Sequence, residues 1–248
     1  MTKGGMTLTT IVIDPGHGGK DPGAVGNGLK EKDLTLAISL KVAELLRAQK
    51  LNVIMTRTAD TFVDLSPART PKCDLSISVH VNAGGGQGLE TWVSLYNRPA
   101  ESKKLGQAIQ DNILKLVSFK DRGLKTKANS ANNADYLYML RNAKGLPVLV
   151  ECGFIDNASD ANILKTPSNL TKIAEGIANG IFEYLGIKKQ PQKVNLEGVL
   201  ETKVYFEGKE LGGYIIGGKT YVELRNFAET AGMKVIWDEQ KFGTEVKR

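Results

Sequence analysis

The chain has 248 residues, 41% hydrophobic and 24% charged, with a net charge of +6 at neutral pH. This allows one good-sized core plus a small second domain, and no apolar run reaches the ~20 residues that span a bilayer. The basic excess is spread along the chain without a run, which argues against a nucleic-acid partner.

Met1–Met6 lacks the apolar stretch of a signal peptide, so synthesis in the cytoplasm is expected. Ile11-Val12-Ile13 reads as a buried strand ended by Asp14-Pro15-Gly16, because Pro and Gly are poor ladder members. His17 follows in a glycine-rich loop, just past the carboxyl end of that strand, where open α/β sheets bind ligands. Gly26–Lys32 is a polar loop carrying Glu31, and Asp33 is the expected N-cap of a helix to about Gln49. Leu51–Thr56 is the second strand, parallel to the first through a βαβ unit. The loop 57–72 has one expected helical turn near Ser66-Pro67-Ala68-Arg69.

Leu75–His80 is the third strand and delivers the second of only two histidines; Val81 onward reads as loop. Glu90–Tyr96 alternates as a strand, Ser102–Ser118 has a helical stripe, and Tyr136–Leu140 and Pro147–Glu151 read as two more strands. A helix begins near Ser168 and stops at Gly186. Residues 188–193 read as a polar linker. From Val194 the pattern changes to short strands (Thr202–Phe206, Glu210–Ile216, Lys234–Trp237) around a helix from Val222 to Ala231. The expected fold is α/β: a twisted, mostly parallel sheet of about six strands with helices on both faces (1–187), then a small α+β domain (194–248).

His17, His80 and Glu151 fall at strand carboxyl ends on one rim, and Glu31 starts a helix leaving the same rim. Two His and one carboxylate form a ligand set for a catalytic zinc, and a further glutamate can serve as general base and acid. Each residue also has a plainer reading. His17 and His80 can be strand-end residues, and Glu31 a solvated helix-start charge. The joint occurrence of all four weakens those readings. Cys73 and Cys152 make no zinc pattern and read as unpaired.

The stretches Ile13-Asp14-Pro15-Gly16-His17-Gly18-Gly19, Lys30-Glu31-Lys32-Asp33-Leu34, Thr56-Arg57, Ser76–Ala83, Gly88-Leu89-Glu90 and Val148–Asn157 run in one order along the chain. Together they resemble the zinc-dependent N-acetylmuramoyl-L-alanine amidases of the Amidase_3 type, which hydrolyse peptidoglycan. The resemblance implies that His17, Glu31 and His80 are Zn2+ ligands and that Glu151 is the catalytic acid and base. It implies bacterial cell-wall polymer as partner, with action on the wall after release, as in a phage endolysin or an autolysin. Residues 119–135 are too short for the occluding helix of regulated members, so no activator protein is expected. The C-terminal segment resembles, more weakly, the small domain named after the N-terminal region of copper amine oxidases; without His or Cys it is not expected to bind copper. A zinc carboxypeptidase and a non-catalytic wall-binding protein are the competing readings.

Overall fold

The structure is a computed structural model that describes residues 9–66, 69–188, 199–216, 219–222, 224–238 and 243–247. The chain divides into two compact units, Met1–Gln190 and Pro191–Arg248.

The first unit contains, in chain order, β1 (Thr10–Pro15), β2 (Val25–Gly26), β3 (Leu29–Lys30), α1 (Glu31–Ala48), β4 (Asn52–Met55), β5 (Leu75–Asn82), β6 (Leu89–Val93), α2 (Pro99–Leu114), β7 (Asp121–Lys125), α3 (Tyr138–Asn142), β8 (Leu146–Phe154), α4 (Ala158–Leu164) and α5 (Pro167–Leu185). Six strands form one sheet in the order β4-β1-β5-β8-β6-β7, and β2 and β3 pair as a separate short hairpin. Every neighbouring pair in the large sheet is parallel except β6 with β8. The two crossovers β1-α1-β4 and β6-α2-β7 are what parallel pairing requires.

The core lies between one sheet face and a layer made by α1, α5 and α2. Ile11, Ile13, Ile77, Val79, Val148 and Val150 alternate onto that face and meet Ile38 and Val42 of α1, Ile109 and Ile113 of α2, and Ile173, Ile177 and Ile181 of α5. Residues between them in sequence turn to the other face. There, Val12 and Leu149 are buried outside this core, as are Met139 and Leu140 of α3, which packs on β8. The second face also carries Asp14, Ser78, His80, Glu90 and Glu151, so its polar residues cluster toward the rim.

Several expected elements are corrected. Tyr136–Leu140 is no strand: α3 starts after Leu137. Both flanks of β8 are already taken by β5 and β6, and the adjacent buried pair Met139 and Leu140 fits a helix face rather than alternation. Residues 119–135, where no strand is expected from the sequence, hold Asp121–Lys125 as the edge strand β7. Lys30, not Asp33, is the N-cap of α1, so Glu31 is the first helical residue and Asp33 sits inside the first turn. β1 runs through Asp14 to Pro15, and β5 runs two residues beyond His80. α2 begins at Pro99, a residue suited to a first helical position, and ends before Ser118. Gly186 takes φ 67 after α5, the left-handed stop expected there. The expected turn at 66–69 includes Pro67 and Ala68, and the linker 188–193 runs beyond Lys188; both fall in part outside the described residues.

The second unit contains β9 (Val199–Phe206), β10 (Lys209–Ile216), β11 (Lys219–Val222), α6 (Leu224–Thr230), β12 (Lys234–Asp238) and β13 (Gly243–Lys247). Three strands pair antiparallel in the order β11-β10-β9, and β12 pairs antiparallel with β13. Val222 ends a strand instead of opening the helix. Phe206 and Phe227 stack with ring centres 4.8 Å apart.

Candidate metal and catalytic site

The turn after β1 is built around backbone that admits no bulk. Gly16 N–H donates to the Val79 carbonyl of β5 at 2.9 Å, and a Cβ on Gly16 would lie 2.4 Å from the His80 ring. Arg57 and Thr35 fasten the same turn. Arg57 Nη2 donates to the Gly16 carbonyl at 2.9 Å and its Nε to the Pro15 carbonyl at 3.2 Å, while Thr35 Oγ1 donates to the Gly16 carbonyl at 2.8 Å. His17 itself takes φ 61, a left-handed conformation tolerated where surrounding bonds fix it.

His17, Glu31 and His80 converge. His80 Nδ1 lies 2.9 Å from Glu31 Oε1, and His17 Nε2 lies 3.2 Å from Glu31 Oε2. The two imidazole centres are 5.1 Å apart. One ligand atom from each of the three residues lies within 4.8 Å of the others. Glu31 is buried, and its position as first residue of α1 turns the carboxylate inward, where Val81 N–H donates to Oε1 at 3.0 Å and Ala24 N–H to Oε2 at 2.8 Å. Gly23 must be glycine here as well: its φ is 64, and a Cβ would stand 2.6 Å from Glu31 Oε2.

Charges follow from these contacts. Burial pushes the Glu31 carboxyl up, but hydrogen bonds from His17 and His80 outweigh it and hold it well below the usual carboxylate range. The hydrogen bond to Glu31 lifts His17 to about 9 against the effect of burial. His80 is pushed down by burial, yet its hydrogen bond to Glu31 and the charges of Glu151 and Glu31 leave it raised. A carboxylate that remains ionised between two imidazoles can hold a metal cation in place of the shared protons. Asp21 completes the arrangement, with Oδ2 2.8 Å from His17 Nδ1. A carboxylate on the far nitrogen orients a metal-binding imidazole and fixes its tautomer.

Glu151 sits in register with His80 across the β5–β8 pair. Its Oε2 is buried and has no hydrogen-bond partner among the described residues. Burial, opposed by the charge of His80 and aided by those of Glu31 and Glu90, raises this carboxyl to about 7. An orphaned carboxylate oxygen is costly in a fold, and a carboxyl poised near neutrality suits proton transfer.

The structure therefore brings together the four residues singled out in the sequence. Asp21, Thr35, Gly16 and Gly23 were not singled out. The His17-x-x-x-Asp21 spacing in a tight glycine-rich loop was the available signal for Asp21. Arg57 appeared in the Thr56-Arg57 stretch without a role. Cys152 is fully buried, and burial pushes its thiol far above the ordinary range, so it is no nucleophile.

The family model for N-acetylmuramoyl-L-alanine amidase (Amidase_3) matches residues 11–183. The sporulation-specific N-acetylmuramoyl-L-alanine amidase of Bacillus subtilis is 39% identical over 188 residues, covering 73% of this chain and 70% of that protein. The endolysin of Bacillus phage SPP1 is 42% identical over 189 residues, covering 73% of this chain and 67% of that protein. The catalytic domain of CwlV, an N-acetylmuramoyl-L-alanine amidase from Bacillus (Paenibacillus) polymyxa, superposes with a TM-score of 0.64 at 33% identity, covering 73% of this chain and 100% of that domain. The family model and these relatives agree, and the chain belongs to the Amidase_3 family of N-acetylmuramoyl-L-alanine amidases.

Proposed function

We propose that this chain cleaves the amide bond between N-acetylmuramic acid and the L-alanine of the peptidoglycan stem, using zinc held by His17, Glu31 and His80, with Glu151 as general base and acid. The observation that carries this reading is the buried Glu151 Oε2, partnerless among the described residues, set beside the convergent His–Glu–His trio. Bound zinc would supply Lewis-acid polarisation of the scissile carbonyl and acidify water at the site. Asp21 holds the His17 ring through Nδ1, and Val81 and Ala24 N–H groups hold the Glu31 carboxylate. Glu151 Oε2 takes the proton of the attacking water and passes it to the nitrogen of the departing L-alanine. That one oxygen is open to both steps because no donor among the described residues occupies it.

The second unit, by its resemblance to a small domain found on other proteins, is proposed as a wall-binding module. The proposed place of action is the bacterial wall, reached on release. Mass spectrometry of fragments released from purified walls tests the reaction. Peptides with a free L-alanine N-terminus and glycan stripped of peptide are expected. Release of single terminal amino acids would mean a carboxypeptidase, and binding without release would mean a non-catalytic wall protein.

A further inference from the structure

Glu90, in the Gly88-Leu89-Glu90 stretch, is buried and lies in register beside Glu151 across the β6–β8 pair. Its carboxylate is engaged on both oxygens. Oε1 accepts from Asn82 Nδ2 at 3.0 Å and from Trp92 Nε1 at 3.1 Å, and Oε2 accepts from Arg122 Nε at 2.7 Å. Arg122 is held from a second side, with its guanidinium 4.8 Å from the centre of the Phe154 ring. Phe154 in turn backs onto Gly86, where a Cβ would be 2.3 Å from the ring. The Arg122 side chain is 32% exposed, and among the described residues its Nη1 and Nη2 donate to no protein acceptor.

His80, Glu151, Glu90 and Arg122 thus form a row across the adjacent strands β5, β8, β6 and β7. The amidase reading, on which this inference rests, gives the row a direction. The scissile carbonyl must face the His–Glu–His trio and the leaving nitrogen must reach Glu151. The peptide on that nitrogen then continues over β6 toward β7. Strands lie about 4.8 Å apart, so the Arg122 backbone is about 10 Å from that of Glu151 along the sheet; its Nε reaches back to Glu90 Oε2 at 2.7 Å, which sets the guanidinium about 5–10 Å from Glu151, while extended peptide advances about 3.3 Å per residue. The guanidinium therefore meets groups carried by the second or third residue of the stem. A planar fork pre-set by stacking and one hydrogen bond, with two donors left outward, matches a carboxylate.

We propose that Arg122 binds a carboxylate of the stem peptide, on its second or third residue, and thereby selects which stem peptides are cut. The test uses three soluble muramyl tripeptides: one with both carboxylates free, one amidated at the second residue, and one amidated at the third. For the unaltered chain with zinc, one of the two amidations should lower kcat/KM by about 10- to 100-fold, chiefly through KM. Arg122→Gln should bring the free substrate down to the amidated one's value and erase the discrimination. Arg122→Lys, which keeps the charge and loses the fork, should fall between. Equal losses on all three substrates, with discrimination kept, would show that Arg122 only neutralises Glu90 and would overturn the proposal. So would an unaltered enzyme indifferent to both amidations. Such an enzyme still releases peptide with a free L-alanine N-terminus, so that result spares the amidase reading; no cleavage of any of the three would remove both.

Discussion

At the scale of the residue, the proposed mechanism rests on one oxygen, Glu151 Oε2, which is buried and has no hydrogen-bond partner among the described residues. Glu151→Gln keeps shape and volume but loses the proton acceptor. Hydrolysis of purified walls should drop by at least ~10²–10⁴-fold, while metal content measured by atomic emission stays at the unaltered level; activity within a few-fold of the unaltered chain would point to another base. A second buried carboxylate is structural. Asp14 is fully buried on β1, paired with Arg69 Nε at 2.7 Å and hydrogen-bonded by Ser78 and Thr56. Burial pushes its carboxyl up, but the charge and hydrogen bonds of Arg69, with those of Ser78 and Thr56, hold it below the ordinary value of 3.8. A depressed folded-state pKa favours folding fully above the unfolded value and loses that contribution as pH falls through the folded one. Urea unfolding should therefore show stability declining below about pH 4. Asp14→Asn should cost about 3–5 kcal/mol at pH 7, because Arg69 is left unpaired, and should flatten the acid decline. An unchanged acid decline in Asp14→Asn would mean that other carboxylates govern it.

At the scale of the element, helix packing explains two glycines that propensity alone would disfavour. Gly176 and Gly180 lie within α5 and face α2. A Cβ on Gly180 would stand 2.5 Å from Ile109 Cα, and one on Gly176 would stand 2.6 Å from Ile113 Cα. Alanine gains about 1 kcal/mol over glycine in a helix interior, but here it meets backbone that cannot swing aside. Overpacking costs about 1–3 kcal/mol, so Gly180→Ala should lower Tm despite its better propensity; a raised Tm in calorimetry would show that the helices can part freely. Such strongly patterned elements were legible in the sequence. The β-branched runs of β1, β5 and β8 and the long stripes of α1 and α5 placed the core and the strands that lead into His17 and carry His80 and Glu151, although β5 and β8 run two and three residues beyond those last two side chains. β7 was not legible, since Asp121–Lys125 has one large apolar residue and charges that suit an edge. Nor was α3, whose apolar residues satisfied a strand pattern until the filled sheet left no place for it. Arg122 went unseen because its strand did, and Asp21 because its role exists only once the loop closes on His17.

At the scale of the molecule, nothing in residues 119–135 forms a helix: they hold β7 and then turns, with Asp135 accepting from Ser94 Oγ and from Leu95 N–H at 2.8 Å. Those bonds tie the end of the segment to the strand side of the fold, and Gln110 Nε2 of α2 ties its start at Asp121 Oδ1 at 2.8 Å. A segment pinned at both ends by buried groups has little freedom to lie across a site, and turnover without an added partner is the expected outcome. The two compact units invite a division of labour, with chemistry in the first and retention on the polymer by the second. Residues 1–187 alone, given zinc, should therefore fold cooperatively and cut soluble muramyl peptides as fast as the whole chain, with no added partner. On intact walls the whole chain should be faster, because tethering raises the local concentration of scissile bonds, and its advantage should vanish as the walls are digested to soluble fragments. Equal rates on intact walls would remove the tethering role. Negligible turnover by both forms, restored by a cell extract, would show instead that an external activator is required.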